Sequence, residues 1–155
     1  MLRDASAGTV DPACVARYRR PEARVRLGRA VAQARAARAA MDLSDGLADA
    51  LRQVADASRC GVEIDADAIP IEPGARRWWQ GQGRDPVAAA LAGGDDYELL
   101  IAVPRTGRGR LRQARSRVAE PALTRIGVLT KDASVRVMRR NGFREALPGG
   151  FEHFS

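Results

Sequence analysis

Apolar residues recur at intervals of three and four through residues 45–58. Leu47, Ala50, Leu51, Val54 and Ala55 take one side, and Asp49, Arg52, Gln53 and Asp56 take the other. An apolar stripe opposite a charged one predicts an amphipathic helix. Residues 21–39, PEARVRLGRAVAQARAARA, predict a second, with Val25, Leu27, Ala30, Val31 and Ala34 on the apolar side. Pro21 suits its first turn. Between the two helices, AAMDL reads as a short buried strand. The period drops to two in CGVEIDAD, where Cys60, Val62 and Ile64 alternate with Gly61, Glu63 and Asp65, which predicts a strand. YELLIAVP, LTRIGVLT and ASVRVMRR predict three more, the last followed by the turn pair Asn141-Gly142. DPVAAALA reads as a short helix started by Asp85 and Pro86, and RGRLRQARSRVA as a strongly basic one. Residues 1–20, residues 66–85 with Trp78 and Trp79, and the tail PGGFEHFS show no period and read as irregular. Strands and helices interleave without repeats. This predicts an α/β (α+β) fold in which a mixed β-sheet is covered by helices.

The chain has 155 residues, 45% of them hydrophobic, which suits one ordinary domain with its own core. No apolar run is long enough to span a bilayer, and MLRDASAGTV lacks the apolar stretch of a signal peptide. Cys14 and Cys60 are far apart and fit no metal or redox spacing, so each reads as a buried free thiol. These features together point to the cytoplasm. The formal net charge is +7, and of 26 basic residues only Lys131 is not arginine. The arginines look scattered and few aromatics accompany them, so no stacking platform for single strands is evident. The charge reads as a solvated, arginine-biased surface, and nucleic acid is not an expected partner.

Three short stretches carry candidate chemistry. In AAMDLSDGLADAL, residues 39–51, Asp42 lies inside an apolar segment, and Ser44, Asp45 and Gly46 follow where a strand meets a helix. Side chains two apart on a strand share a face, which places Asp42 with Ser44. Carboxylate oxygens suit magnesium, and a helix start beside a glycine offers N–H groups to a phosphate. Ser44 or Asp45 as an ordinary helix N-cap is the competing reading. In LAGGDDYELL, residues 91–100, Gly93 and Gly94 allow close backbone approach and Asp95 and Asp96 precede a strand. This is either a polar pocket rim or a plain Gly-Asp turn. In GGFEHF, Phe151 could cover a ring-shaped ligand or simply dock a terminus. No nucleophile–base pair is evident, so no residue is assigned to covalent catalysis.

Taken in order, RYRRP, MDLSDGLADAL, LAGGDDYELL and GFEHF resemble the C-terminal half of thiamine-monophosphate kinase, over roughly residues 17–155. That family belongs to the PurM-like superfamily, with aminoimidazole ribonucleotide synthetase, selenophosphate synthetase and the hydrogenase maturation protein HypE. The resemblance implies a PurM-like C-terminal domain and magnesium-dependent transfer of the γ-phosphate of ATP onto thiamine phosphate, giving thiamine diphosphate. It implies Asp42 and Asp45 as magnesium ligands, Ser44 as an ATP contact, and Asp95 and Phe151 as substrate contacts. Asp95 stands where the family usually has Glu, keeping the charge and shortening the reach. Phosphoryl transfer rests mainly on positioning and charge neutralisation, so such a site works without a protein nucleophile.

Family members carry a further N-terminal domain with more Asp ligands, a nucleotide-binding segment and the dimer interface. The expectation is therefore residues 1–16 as an irregular lead-in, residues 17–155 as the C-terminal domain, and no N-terminal ATP-binding domain. Activity would then need a separate N-terminal half or a homodimer partner. Two other readings stay open: a non-catalytic binding or interaction module that keeps the fold, and another phosphotransferase of the superfamily.

Overall fold

The computed structural model describes residues 11–118 and 120–148. Its elements in chain order are α1 (Pro12–Arg19), α2 (Val25–Gln33), β1 (Ala39–Asp42), α3 (Leu47–Ser58), β2 (Gly61–Asp65), α4 (Pro73–Gly81), α5 (Pro86–Ala92), β3 (Leu99–Ala102), α6 (Arg108–Arg117), β4 (Gly127–Thr130), β5 (Val135–Met138) and β6 (Arg144–Ala146).

The strands divide into two sheets. β1 and β3 form an antiparallel pair in which Ala39 opposes Ala102 and Asp42 opposes Leu99. The other sheet is mixed, in the order β4-β2-β5-β6. β2 runs antiparallel to β4 and parallel to β5. β5 and β6 form a hairpin turned at Asn141-Gly142, with Gly142 at φ +78°. The turn dipeptide was legible in the sequence; β6 was not, because three residues are too few to show a period.

Two apolar cores hold these layers. The larger joins α3, through Leu47, Leu51 and Ala55, to Val62 and Ile64 of β2, Leu91 of α5 and Val137 of β5. Burying one such side chain contributes about 1.5–3 kcal/mol. The smaller packs Leu27, Ala30 and Val31 of α2 against Ala114 of α6, with Ile101 of β3 beneath. Among the described residues no buried side-chain polar atom lacks a partner.

α3 forms where the periodicity places it, and α5 where Asp85 and Pro86 mark its start. α5 starts as expected, with Asp85 accepting from the Val87 N–H at 2.9 Å and Pro86 in the first turn. α3 stops at Arg59, which takes the left-handed conformation at φ 49°. Residues 12–19 are helical, not irregular. Asp11 caps α1 and Pro12 opens it, but no α1 residue is buried, so no apolar period marked it. For the same reason the lead-in expected over residues 1–16 is helical from Pro12. The helix expected over 21–39 is shorter, because Arg35 adopts φ 49° soon after Gln33. α4 occupies part of the stretch expected to be a loop. It carries Trp78 and Trp79 edge to face at 4.5 Å between ring centroids, with Arg84 over the Trp79 ring. β1 is not a buried strand: Met41 is half-buried and Asp42 exposed. Cys14 and Cys60 are free but only half-buried.

Candidate functional site

The two acidic, glycine-bearing segments meet through their backbones. β1 ends at Asp42, and pairing continues beyond it into the loop before β3. The Leu43 N–H donates to the Glu98 carbonyl at 2.9 Å. The carbonyls of Leu43 and Ser44 accept from Tyr97 at 3.0 Å and Asp95 at 2.7 Å. Asp95 and Tyr97 take positive φ, 63° and 51°. A left-handed residue with a β-carbon costs roughly 1–2 kcal/mol, and these cross-chain hydrogen bonds hold both in place.

Glycine makes the approach close enough. Gly46 sits at φ +96°, and a β-carbon there would lie 2.2 Å from the Gly93 carbonyl oxygen. One on Gly94 would lie 2.9 Å from the Ser44 carbonyl oxygen. The N-cap of α3 is Gly46, so Ser44 and Asp45 lie before the cap position and neither is the N-cap residue. The strand also ends before Ser44, which sits in a bend, so the face shared by Asp42 and Ser44 on a continuous strand does not form. Ser44 and Asp45, both half-buried, line one open concavity with Gly94, Asp95 and Asp96. Asp42 is exposed and stands outside that lining. Phe151 lies outside the described residues.

The electrostatics of this rim are uneven. Asp95 accepts from the Tyr97 hydroxyl at 3.2 Å. Asp96 has an open surface, yet protein atoms crowd its carboxyl. That desolvation, with the charges of Glu98 and Asp95, pushes it up to about 6. Glu98 is itself gripped by arginine. Arg24 donates through Nε at 2.9 Å and through Nη2 at 2.6 Å, and Arg17 of α1 adds a contact at 3.1 Å. The Arg24 side chain is 6% exposed, so this planar two-point grip is shielded from water. Arg17, Arg24 and Glu98 were not singled out from sequence, and Gly46 was read as a glycine beside a helix start but not as the point where Gly93 approaches. Arg17 lies in RYRRP and Glu98 in GGDDYEL, both conspicuous, but Arg24 lies in neither and nothing in one dimension pairs the three.

Among the described residues no three His, Cys, Asp or Glu side chains converge as a metal cluster. Two carboxylates are nonetheless a donor set that magnesium accepts when phosphate oxygens and waters complete its shell. Asp42 and Asp45 fit that partial role by donor chemistry. No described helix is long and apolar enough to cross a membrane.

This chain matches the family described as AIR synthase related protein, C-terminal domain, over residues 11–140. The thiamine-monophosphate kinase of Salmonella typhimurium is 35% identical to it, over 91% of this chain and 42% of that protein. The Caulobacter vibrioides thiamine-monophosphate kinase is 43% identical over 60% of this chain and 26% of that protein. Among solved structures, AaThiL complexed with AMPPCP and TMP superposes with a TM-score of 0.73 at 27% identity, covering 99% of this chain and 45% of that one. E. coli HypE, a hydrogenase maturation protein, gives a TM-score of 0.66 at 25% identity, over 79% of this chain and 39% of that one. The chain thus spans about two-fifths of the length of the curated kinases it matches. It belongs to the AIR synthase related family, matching that family's C-terminal domain, and is similar there to thiamine-monophosphate kinases.

Proposed function

We propose that this chain supplies one part of a magnesium-dependent site that transfers the γ-phosphate of ATP to thiamine phosphate. The observation that carries the reading is the interlock of MDLSDG with GGDDYEL. It joins Ser44 to Asp95 directly, the Asp95 N–H donating to the Ser44 carbonyl at 2.7 Å, with Asp45 and Asp96 next to them in sequence and the start of α3 beside them. A helix start favours negative charge, and backbone N–H groups there bind phosphate well. Ser44 offers a hydroxyl to the nucleotide. Asp42 and Asp45 hold magnesium, which when bound neutralises phosphate charge. Asp95 and Phe151 contact the thiamine phosphate, and the Tyr97 hydroxyl orients the Asp95 carboxylate toward it. The relatives' names support the reaction class, and AaThiL holds AMPPCP and TMP together.

Two or three carboxylates do not neutralise a triphosphate and a phosphate alone. The reading therefore assigns the remaining ligands to protein outside this sequence, in a separate half or a homodimer partner, acting in the cytoplasm. The experiment incubates this chain with ATP, magnesium and thiamine phosphate, alone and mixed with the N-terminal part of the Salmonella relative. Thiamine diphosphate forming only in the mixture is the expected result. Robust product from this chain alone overturns the incomplete-site reading. No product in the mixture, together with no binding of AMPPCP or thiamine phosphate, overturns the kinase reading.

A further inference from the structure

The arginines that look scattered along the sequence are gathered by the fold. Residues 25–41 and 99–118, which contain α2 and α6, hold ten arginines and not one Asp or Glu. With those ten set aside, sixteen basic residues face nineteen acids, a net charge of −3. The whole positive excess of the chain therefore belongs to these two segments. Their helices pack on each other through Leu27, Ala30 and Val31 of α2 and Leu111 and Ala114 of α6, so the two arginine-bearing helices lie side by side. Arg26 and Arg29 on α2, and Arg108, Arg110, Arg112 and Arg117 on α6, are all exposed. The ion pairs of the described residues involve Arg17, Arg24, Arg77, Arg136 and Arg139, and none of these six.

We propose that the α2–α6 face is a docking surface for duplex nucleic acid, gripped through its phosphates without reading bases. Each helix is about 15 Å long at 1.5 Å per residue, and duplex DNA carries one charge per about 1.7 Å of axis. The face can therefore meet several phosphates at once. Guanidinium groups suit phosphate oxygens, which they engage in pairs. The face carries no exposed aromatic residue, which disfavours single strands that need stacking and acidic proteins that need an anchor. Arg108 also lines the concavity that holds Ser44 and Asp45, whereas Arg26, Arg29, Arg110, Arg112 and Arg117 stand outside that lining, so these five stand or fall independently of the kinase reading.

Fluorescence anisotropy of the full chain with a 20-base-pair duplex, across a salt series, tests this. Expected are low-salt binding that is indifferent to duplex sequence, and an affinity that falls with salt at a log–log slope of about −4, as for four or five phosphates. The triple variant R110Q/R112Q/R117Q, whose three arginines stand outside the Ser44–Asp45 concavity, binds at least tenfold more weakly and flattens the slope by about 2–3. Its circular dichroism stays native, since these side chains hold no ion pair among the described residues. The double variant R140Q/R144Q, which removes exposed charge elsewhere, changes affinity less than threefold. No binding at low salt, an unaltered triple variant, equal losses in both variants, or equally tight binding of poly-glutamate overturns the proposal.

Discussion

The α-carbon of Gly46 faces the Gly93 carbonyl so closely that any β-carbon would sit 2.2 Å from that oxygen. The same residue holds φ +96°, where side chains are strained. Clash and strain act together, so G46A destabilises the fold by about 2–4 kcal/mol. Chemical denaturation checks this. Because the lesion lies at the junction of the two motifs, nucleotide affinity falls as well. The matched variant G142A, at a turn with open space and φ +78°, costs only about 1 kcal/mol and leaves affinity unchanged.

Glu98 is the acceptor that Arg24 and Arg17 share. E98Q leaves the Arg24 guanidinium shielded with Glu22 as its one remaining acid partner. Removing one member of such a pair costs about 2–3 kcal/mol, smaller than for a fully buried pair because Glu98 is itself partly open. R17Q, whose side chain is more than half exposed, costs under about 1 kcal/mol. Thermal melts of the two variants separate the shielded contact from the exposed one, and equal losses would show that shielding does not matter.

These two cases mark what one dimension can carry. The 3.6-residue stripe of α3 and the two-residue alternation through Val62 and Ile64 were legible because burial on one face imposes them. α1 was missed because it buries nothing, and the short β6 because three residues show no period. In the site, Ser44, Asp45 and Asp95 were legible as types, and the structure brings them to one concavity. Asp42 was misjudged as buried, since an apolar neighbourhood in sequence does not say that β1 is covered. The Arg24–Glu98 grip spans 74 positions. Arg24 caps α2, which packs on β3, and Glu98 directly precedes β3, so they become neighbours only in the fold and no local pattern announces it. The gathering of these arginines was not legible for the same reason, because α2 and α6, far apart in sequence, meet only in the fold, through Leu27, Ala30 and Val31 against Leu111 and Ala114.

Asp96 gives a pH prediction. Its carboxyl is held up to about 6, first by desolvation and then by Glu98 and Asp95, against an ordinary value of 3.8. Between these values the native state binds more protons than the unfolded chain, so stability falls as pH rises from about 4 to 6. Above 6 this penalty is constant. D96N removes it, so the variant gains on the wild type as pH climbs through that window, by about 1 kcal/mol once solvent screening is allowed for. Denaturation midpoints at pH 4 and pH 7 measure the difference. A variant that gains equally at both pH values would show that Asp96 titrates normally.

The pairing of Asp42 and Asp45 with a phosphate ligand is tested by calorimetry. Two carboxylates with several retained waters hold magnesium poorly, so magnesium chloride alone gives little or no heat. In the presence of AMPPCP the phosphates complete the ion's shell, and binding becomes measurable. D45N, at the half-buried position on the concavity, weakens it by about tenfold, or 1.4 kcal/mol. D42N weakens it by about threefold, because its carboxylate is exposed and outside that lining. D132N, which lies in the turn before β5 beside Ser134, leaves it unchanged. Magnesium-independent AMPPCP binding, or a D45N affinity equal to wild type, would remove both carboxylates from the ligand set. A D42N loss as large as that of D45N would show that the ion bridges the strand end and the bend.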